Sequence, residues 1–318
     1  MGKPIYIICH PGSGNGKGGK LLKAVTDCLK EFHLDYLTYL TDYQNHAQLL
    51  CQQLVKRTQG NFQQAVMIIG GDGTLHEVIN GFLASGYKVP LAYLPAGTGN
   101  DFARVWSPKL SPRQLVENLI YQRKISQVPI IKAFNNANEH IDYMLNSNGY
   151  GLDAQINYQA QVFQKMPLFQ KFGLHKLVYL AGLVKSLSQI QRFQVELKVD
   201  GQSYHFNEVG IHCTMTNPYL GGGIYLSNLT QPEEKLLCAV TYHDITLKAV
   251  FDAIKRVFLS KDHDQSPYIS QIKGKQMQVM IQEPVWGQAD GEVISKDLVN
   301  VSYEMDTYPF ILNEEPKS

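Results

Sequence analysis

The stretch Gly70-Gly71-Asp72-Gly73-Thr74-Leu75-His76-Glu77 constrains the fold more than any other, because an apolar strand has to end and an amphipathic helix begin within it. Ala65-Val66-Met67-Ile68-Ile69 before it is a short β-branched run of the kind buried in the middle of a parallel sheet. After it, Leu75, Val78, Ile79, Phe82 and Leu83 recur at the spacing of one helical face, and Gly86 supplies a stop. Thr74 and Glu77 match the Ser/Thr-x-x-Glu capping box, so the helix is expected to start there and to leave its first amides over the glycines. A helix N-terminus carries about half a positive charge and several N–H groups without intrahelical partners, and glycine lets a ligand reach the backbone. Phosphate is the fitting guest. Asp72 narrows this to a Mg²⁺-nucleotide, since a carboxylate beside phosphates is repelled unless a cation or fixed donors lie between them. The competing reading is a loop that only turns, with Asp72 solvated.

With 318 residues, 44% of them hydrophobic, the chain can supply two domains and a substantial core. The balance of 29 basic against 28 acidic residues gives no global field to draw in nucleic acid, so no nucleic-acid partner is expected and any membrane attraction has to be local. Cys9, Cys28, Cys51, Cys213 and Cys238 are scattered, odd in number and without metal-site spacing, which fits reduced thiols in a cytoplasmic protein. No signal-peptide pattern precedes the strand-like Ile5-Tyr6-Ile7-Ile8. The most apolar run, Leu177 to Val184, falls far short of the roughly 20 residues that a bilayer helix needs.

Two further units repeat the grammar of strand, glycine-rich loop and helix. Ile5 to Cys9 leads into His10-Pro11-Gly12-Ser13-Gly14-Asn15-Gly16-Lys17-Gly18-Gly19-Lys20, and a helix is expected through Leu21, Leu22, Val25, Leu29 and Phe32. Gly14, Gly16 and Gly19 satisfy G-x-G-x-x-G, which a dinucleotide fold would also do, whereas Lys17 lacks the following Ser or Thr of a Walker A loop. Leu37 to Leu40 reads as a strand, with a helix expected to begin at Thr41-Asp42. Leu91 to Leu94 is followed by Pro95-Ala96-Gly97-Thr98-Gly99-Asn100 and a helix start at Asp101-Phe102-Ala103-Arg104. In a doubly wound sheet, loops leaving the carboxyl ends of parallel strands converge on one crevice, so three such loops together point to a phosphate-binding cleft.

Gly70 to Gly81, followed by Pro95-Ala96-Gly97-Thr98-Gly99-Asn100-Asp101-Phe102-Ala103-Arg104, resembles the catalytic domain of the diacylglycerol kinase and sphingosine kinase family of soluble lipid kinases. The first motif alone would also suit NAD kinases and phosphofructokinases; the second points to the lipid kinases. The resemblance implies an α/β N-terminal domain with a doubly wound parallel sheet and a C-terminal antiparallel β-sandwich. It implies that ATP lies across His10, Pro11, Gly12, Ser13 and Gly14, Thr41, the run Gly70, Gly71, Asp72, Gly73, Thr74, Leu75 and His76, and Thr98, with Asn100 and Asp101 beside it. His10 departs from the Asn that the family usually places before Pro11.

Near Ser126 the texture changes to short alternating strands, which sets the expected domains at 1–125, with 297–318 returning to it, and 126–296. Val195, Leu197 and Val199 alternate up to Asp200-Gly201, and Tyr204 and Phe206 come back, a strong hairpin signal. Val209 to Thr216, Leu236 to Tyr242 and Met277 to Ile281 read as strands, and Leu247 to Leu259 as an amphipathic helix. Asn146-Ser147-Asn148-Gly149-Tyr150-Gly151-Leu152-Asp153-Ala154 is similar to a segment of the same family. Ala154 to Val195 contains no Asp or Glu, yet carries Lys165, Lys171, Lys176, Lys185 and Arg192 among aromatic and aliphatic residues. Such a stretch suits peripheral contact with an anionic bilayer, each basic residue adding about 1 kcal/mol; a core helix with lysines on its wet face is the alternative.

Two further roles follow from the resemblance alone. Where relatives usually have Asp-Gly in a loop that can hold a structural Mg²⁺, this chain has Glu234-Lys235, so the ligands by position would be Gln231, Glu234 and the Leu236 carbonyl, with a longer carboxylate and an added positive charge. Asp290-Gly291-Glu292, a turn dipeptide by itself, corresponds to the family's Asp-Gly-Glu, whose Glu is the proton acceptor. The expected chemistry is therefore phosphoryl transfer from ATP to the hydroxyl of diacylglycerol or a related lipid, in a cleft between domains, with Asp72 ordering Mg²⁺ and Glu292 as base. An NAD kinase, a Rossmann oxidoreductase and a non-catalytic nucleotide sensor are the competing readings, and a homodimer stays open.

Overall fold

The computed structural model describes residues 4–62, 65–106, 111–122, 125–164, 190–256 and 262–312. The chain divides into two compact units, Met1–Ile130 with Asp306–Ser318, and Ile131–Met305. Both junctions fall inside long strands, which is why they lie a few residues beyond the texture changes in the sequence.

In the first unit β1 (Ile5–Cys9), α1 (Ser13–Glu31), β2 (Tyr36–Leu40), α2 (His46–Thr58), β3 (Val66–Gly70), α3 (Asp72–Ala84), β4 (Leu91–Pro95), α4 (Asp101–Trp106) and α5 (Pro112–Glu117) follow one another. The strands are parallel in the order β2-β1-β3-β4. All five residues of β3 are buried, whereas the edge strand β2 is largely open, so the central strands need helices on both faces. Val25 and Leu29 of α1 and Leu115 and Val116 of α5 cover one face, against Ile7, Met67, Ile69 and Leu94. On the other face Tyr6, Phe62 and Phe82 stack edge to face in sequence, at 6.1 and 5.7 Å between centroids, and α2 packs on α3. Phe310, near the C-terminus, pairs in parallel with Leu91 and packs against Phe102.

Three helix starts differ from the sequence expectation. The helical pattern of α1 opens at Ser13, but Gly14, Asn15 and Gly16 are left-handed, with φ of 57°, 57° and 84°, so the loop persists inside it. α2 starts at His46 because Asn45 turns the chain with a φ of 66°. α3 begins at Asp72 with Gly71 as its N-cap, two residues before Thr74, and no side chain caps it. Glu77 is used elsewhere: its carboxylate accepts the N–H groups of Asn45 at 2.7 Å and Ala47 at 3.0 Å, capping α2. A tertiary partner thus overrides the local capping box. Gly86 follows α3 in left-handed conformation, as the stop required.

The second unit holds the end of β5 (Ile125–Asn135), then β6 (Ile141–Met144), β7 (Ser147–Gly151), α6 (Leu152–Gln164), β8 (Phe193–Val199), β9 (Gln202–Val209), β10 (Ile211–Met215), β11 (Tyr219–Leu220), β12 (Ile224–Tyr225), β13 (Leu237–Tyr242), α7 (Leu247–Lys255), β14 (Ile269–Gly274), β15 (Gln276–Ala289) and most of β16 (Glu292–Ile311). β15 builds two layers: Met277 to Met280 pair with β8, and after a register shift between Ile281 and Val285, Gly287 to Ala289 pair with β7. Buried Val195, Leu197, Val199, Val279, Ile281 and Val301 fill the core, matching the period-two pattern of β8. Asp200 and Gly201 form the hairpin turn with φ of 47° and 90°. Lys165, Lys171, Lys176 and Lys185 lie outside the described residues; Arg192 pairs with Glu208 at 2.9 Å. No helix among the described residues is long and apolar enough to cross a membrane.

Candidate functional site

The loops that follow β1, β3 and β4 meet at the carboxyl ends of their strands. A Cβ on Gly14 would lie 2.0 Å from the Ala96 carbonyl oxygen, and one on Gly97 would lie 2.6 Å from Gly71 Cα, so all three loops touch backbone to backbone. Only glycine allows this approach. His10 Nδ1 and Thr41 Oγ1 are 3.0 Å apart, which joins the β2 loop to the group. Ser13 is buried and its N–H donates to the His10 carbonyl, while the Pro11 and Gly12 carbonyls accept from Gly19 and Gly16. Two contacts had no signal in the sequence. The buried Tyr93 hydroxyl donates to the Gly70 carbonyl at 3.2 Å, and Lys17, set aside for want of a Walker pattern, donates to the Pro95 carbonyl at 3.1 Å. Burial, with Asp72 nearby, pushes the Tyr93 phenol well up, so it stays a donor.

Asp72 spans two of these loops. Its Oδ2 accepts the Asp101 N–H at 2.9 Å and its Oδ1 the Phe102 N–H at 3.3 Å, so the carboxylate caps α4. Asn100 takes a φ of 51° and its amide donates to the Gly97 carbonyl at 2.6 Å, shaping the turn that carries Thr98. Asp101 is buried, with Arg104 Nε 3.3 Å from its carboxylate. Gly73, Thr74 and Leu75 occupy the first turn of α3; Leu75 is fully buried, so it can offer a ligand only its backbone. The His76 carbonyl accepts from Asn80 at 3.0 Å. The arrangement is a glycine-walled hollow at the strand ends with the Asp72 carboxylate fixed at its rim, a geometry of the kind that suits an anion.

In the second unit Asp290 and Gly291, with φ of 49° and 88°, turn β15 into β16, and Glu292 stands exposed at the first position of β16. The Asp290 carboxylate accepts the N–H groups of Leu145, Asn146 and Ser147 at 2.8, 2.7 and 3.2 Å, fastening the turn to the start of β7. Gln288, fully buried, accepts the Gly291 N–H at 2.7 Å and donates to Asp153 at 3.1 Å. Cys213 also donates to Asp153, at 3.6 Å.

Burial pushes the Asp153 carboxyl up to about 6 from an ordinary 3.8. The folded protein therefore keeps a proton there that the unfolded chain has released. This group's stability is full below about pH 4 and is lost as pH rises through about 6, a loss of roughly 3 kcal/mol at 1.36 kcal/mol per pKa unit. Asp153→Asn should remove that decline. Urea unfolding at pH 4 and pH 7 should show wild type losing ground to the variant between the two; parallel profiles would contradict the assignment.

The loop expected to hold a structural Mg²⁺ does not fit one. The Glu234 carboxylate is taken by the Lys273 ammonium at 2.5 Å, the Gln231 carbonyl accepts the Glu234 N–H at 3.0 Å, and Lys235 adds a second positive charge. Of the expected ligands Gln231, Glu234 and Leu236, the one carboxylate is thus engaged by Lys273.

Residues 4–133 match the family model of the diacylglycerol kinase catalytic domain, and residues 147–311 that of the YegS C-terminal NAD kinase beta sandwich-like domain. A Bacillus subtilis (strain 168) protein named "Putative lipid kinase YtlR" is 26% identical over 318 residues, spanning 98% of this chain and 96% of its own. A "Putative lipid kinase" of Staphylococcus aureus (strain MSSA476) is 26% identical over 288 residues, 90% of each chain. Two solved structures from Bacillus anthracis str. Sterne, each described as a putative diacylglycerol kinase, share the fold. One has a TM-score of 0.73 at 23% identity, covering 98% of this chain and 95% of its own; the other 0.70 at 22%, covering 98% and 97%.

Proposed function

Since the chain belongs to the lipid kinase family defined by the diacylglycerol kinase catalytic domain, we propose that it transfers the γ-phosphate of ATP to a hydroxyl of diacylglycerol or a closely related lipid. The observation that carries this reading is the mutual contact of the Gly14, Gly71 and Gly97 loops, because phosphoryl transfer asks a protein chiefly to position a triphosphate and offset its charge. Ser13, Gly14, Gly70 to His76 and Thr98 line the phosphates, and the His10–Thr41 pair closes the cradle. Asp72 fixes α4 and is the residue that would hold Mg²⁺ arriving with ATP, an ion that supplies charge neutralisation at the phosphate oxygens. Glu292 is the base that takes the lipid hydroxyl proton.

In the second unit a hollow of about 240 Å³ beside the hairpin that carries Glu292 is lined by Val285, Ile294, Leu298, Val299 and Val301 and, in about equal measure, by polar residues that include Asn135, His140, Asp142 and Asp297, which suits an acceptor with both an apolar and a polar part. Ile294 and Leu298 at its rim are more than half exposed, so they are open to an apolar part of the acceptor. The acid-free basic stretch from Ala154 to Val195 then serves peripheral contact with the bilayer where the acceptor resides.

Purified protein given γ-labelled ATP with diacylglycerol vesicles, a sphingoid base or NAD separates the readings. Label is expected in phosphatidic acid. Label in NADP instead would make it an NAD kinase, and ATP binding without transfer to any acceptor would make it a nucleotide sensor.

A further inference from the structure

We propose that the Lys273 ammonium does in this chain what a divalent cation would do in the loop between β12 and β13: it holds the loop down on β14, and no Mg²⁺ enters there. Lys273 and Gln271 stand two residues apart on β14, hence on one face, opposite Cys238 and Val240 of β13. Both reach into the loop. Gln271 Oε1 accepts from the buried Ser227 hydroxyl at 2.7 Å, which itself accepts the Thr230 N–H at 3.1 Å. Lys273 donates to Glu234 Oε2 at 2.5 Å, and Asn228 donates to Asp264 at 2.7 Å.

The chemistry of exchange is direct. Mg²⁺ requires about six oxygens at roughly 2.0–2.1 Å and would have to share the Glu234 carboxylate with an ammonium already seated on it. Lys273 and Glu234 are 24% and 40% exposed, so solvent screens their charges only in part. Lys235 lies beside them with a φ of 52°, the left-handed conformation that the family's glycine would take at no cost. The left-handed turn is kept here by a lysine.

Hydrogen exchange of the nucleotide-free protein, read on the peptide covering residues 227–236 in millimolar MgCl₂ or in EDTA, tests this. Wild type is expected to exchange at the same rate in both. Lys273→Met is expected to exchange several-fold faster in this peptide, and Lys273→Arg, which keeps the charge, to behave as wild type. Protection of the wild-type peptide by MgCl₂ would overturn the proposal, as would a Lys273→Met peptide that exchanges no faster. The assay contains neither ATP nor lipid, so its failure is separate from a failure of the kinase reading.

Discussion

Glu292→Gln is expected to lower turnover of the lipid acceptor by about 10²- to 10⁴-fold, the usual contribution of a general base, with ATP affinity and melting temperature unchanged. The turn presenting Glu292 is fastened by Asp290, through three backbone N–H groups, and by Gln288 through the Gly291 N–H. Neither fastening is touched by the substitution. The amide can hydrogen-bond to a hydroxyl but cannot take its proton, so the loss should appear in kcat and leave KM for ATP alone. Full turnover in this variant would remove Glu292 from the base role while leaving the nucleotide cradle intact.

Gly14→Ala is expected to weaken ATP binding by about 10²-fold or more, the scale on which a displacement of about 1 Å is felt at a positioned site. Its Cβ would fall 2.0 Å from the Ala96 carbonyl oxygen, at a φ of 57°, so the β1 and β4 loops would have to part. Gly16→Ala is the control. Gly16 has a φ of 84° but nothing within 4 Å of a Cβ there, so the substitution adds backbone strain without separating the loops. Calorimetric titration with MgATP should therefore find a large loss in the first variant and a small one in the second. Equal affinities would mean that the close approach of the loops does not serve the nucleotide.

Much of the first unit is legible in the sequence because its signals are local. Val66 to Ile69 are buried as an apolar run should be, and loops rich in glycine follow β1, β3 and β4 at the strand ends where a parallel sheet gathers its ligands. Asp200-Gly201 likewise carries its own turn chemistry. Where the reading failed, a distant residue intervened. Glu77 satisfies a capping motif with Thr74 on paper, but α2 lies close enough to claim its carboxylate. Lys273 is separated by 39 residues from Glu234, and no pattern near Glu234 announces the ion pair. Gln288 reaches Asp153 across 135 residues by the pairing of β15 with β7, a register that neither segment encodes alone. The role given to Glu292 rests on a resemblance, since Asp-Gly-Glu by itself says only that the chain turns.

The most direct test is amide exchange across the whole chain with and without MgATP. Three loops sharing one triphosphate predict slowed exchange in the peptides covering 10–16, 70–76 and 97–101 together, at a common ATP concentration. Protection of only one of them, or of none while other peptides slow, would contradict the account.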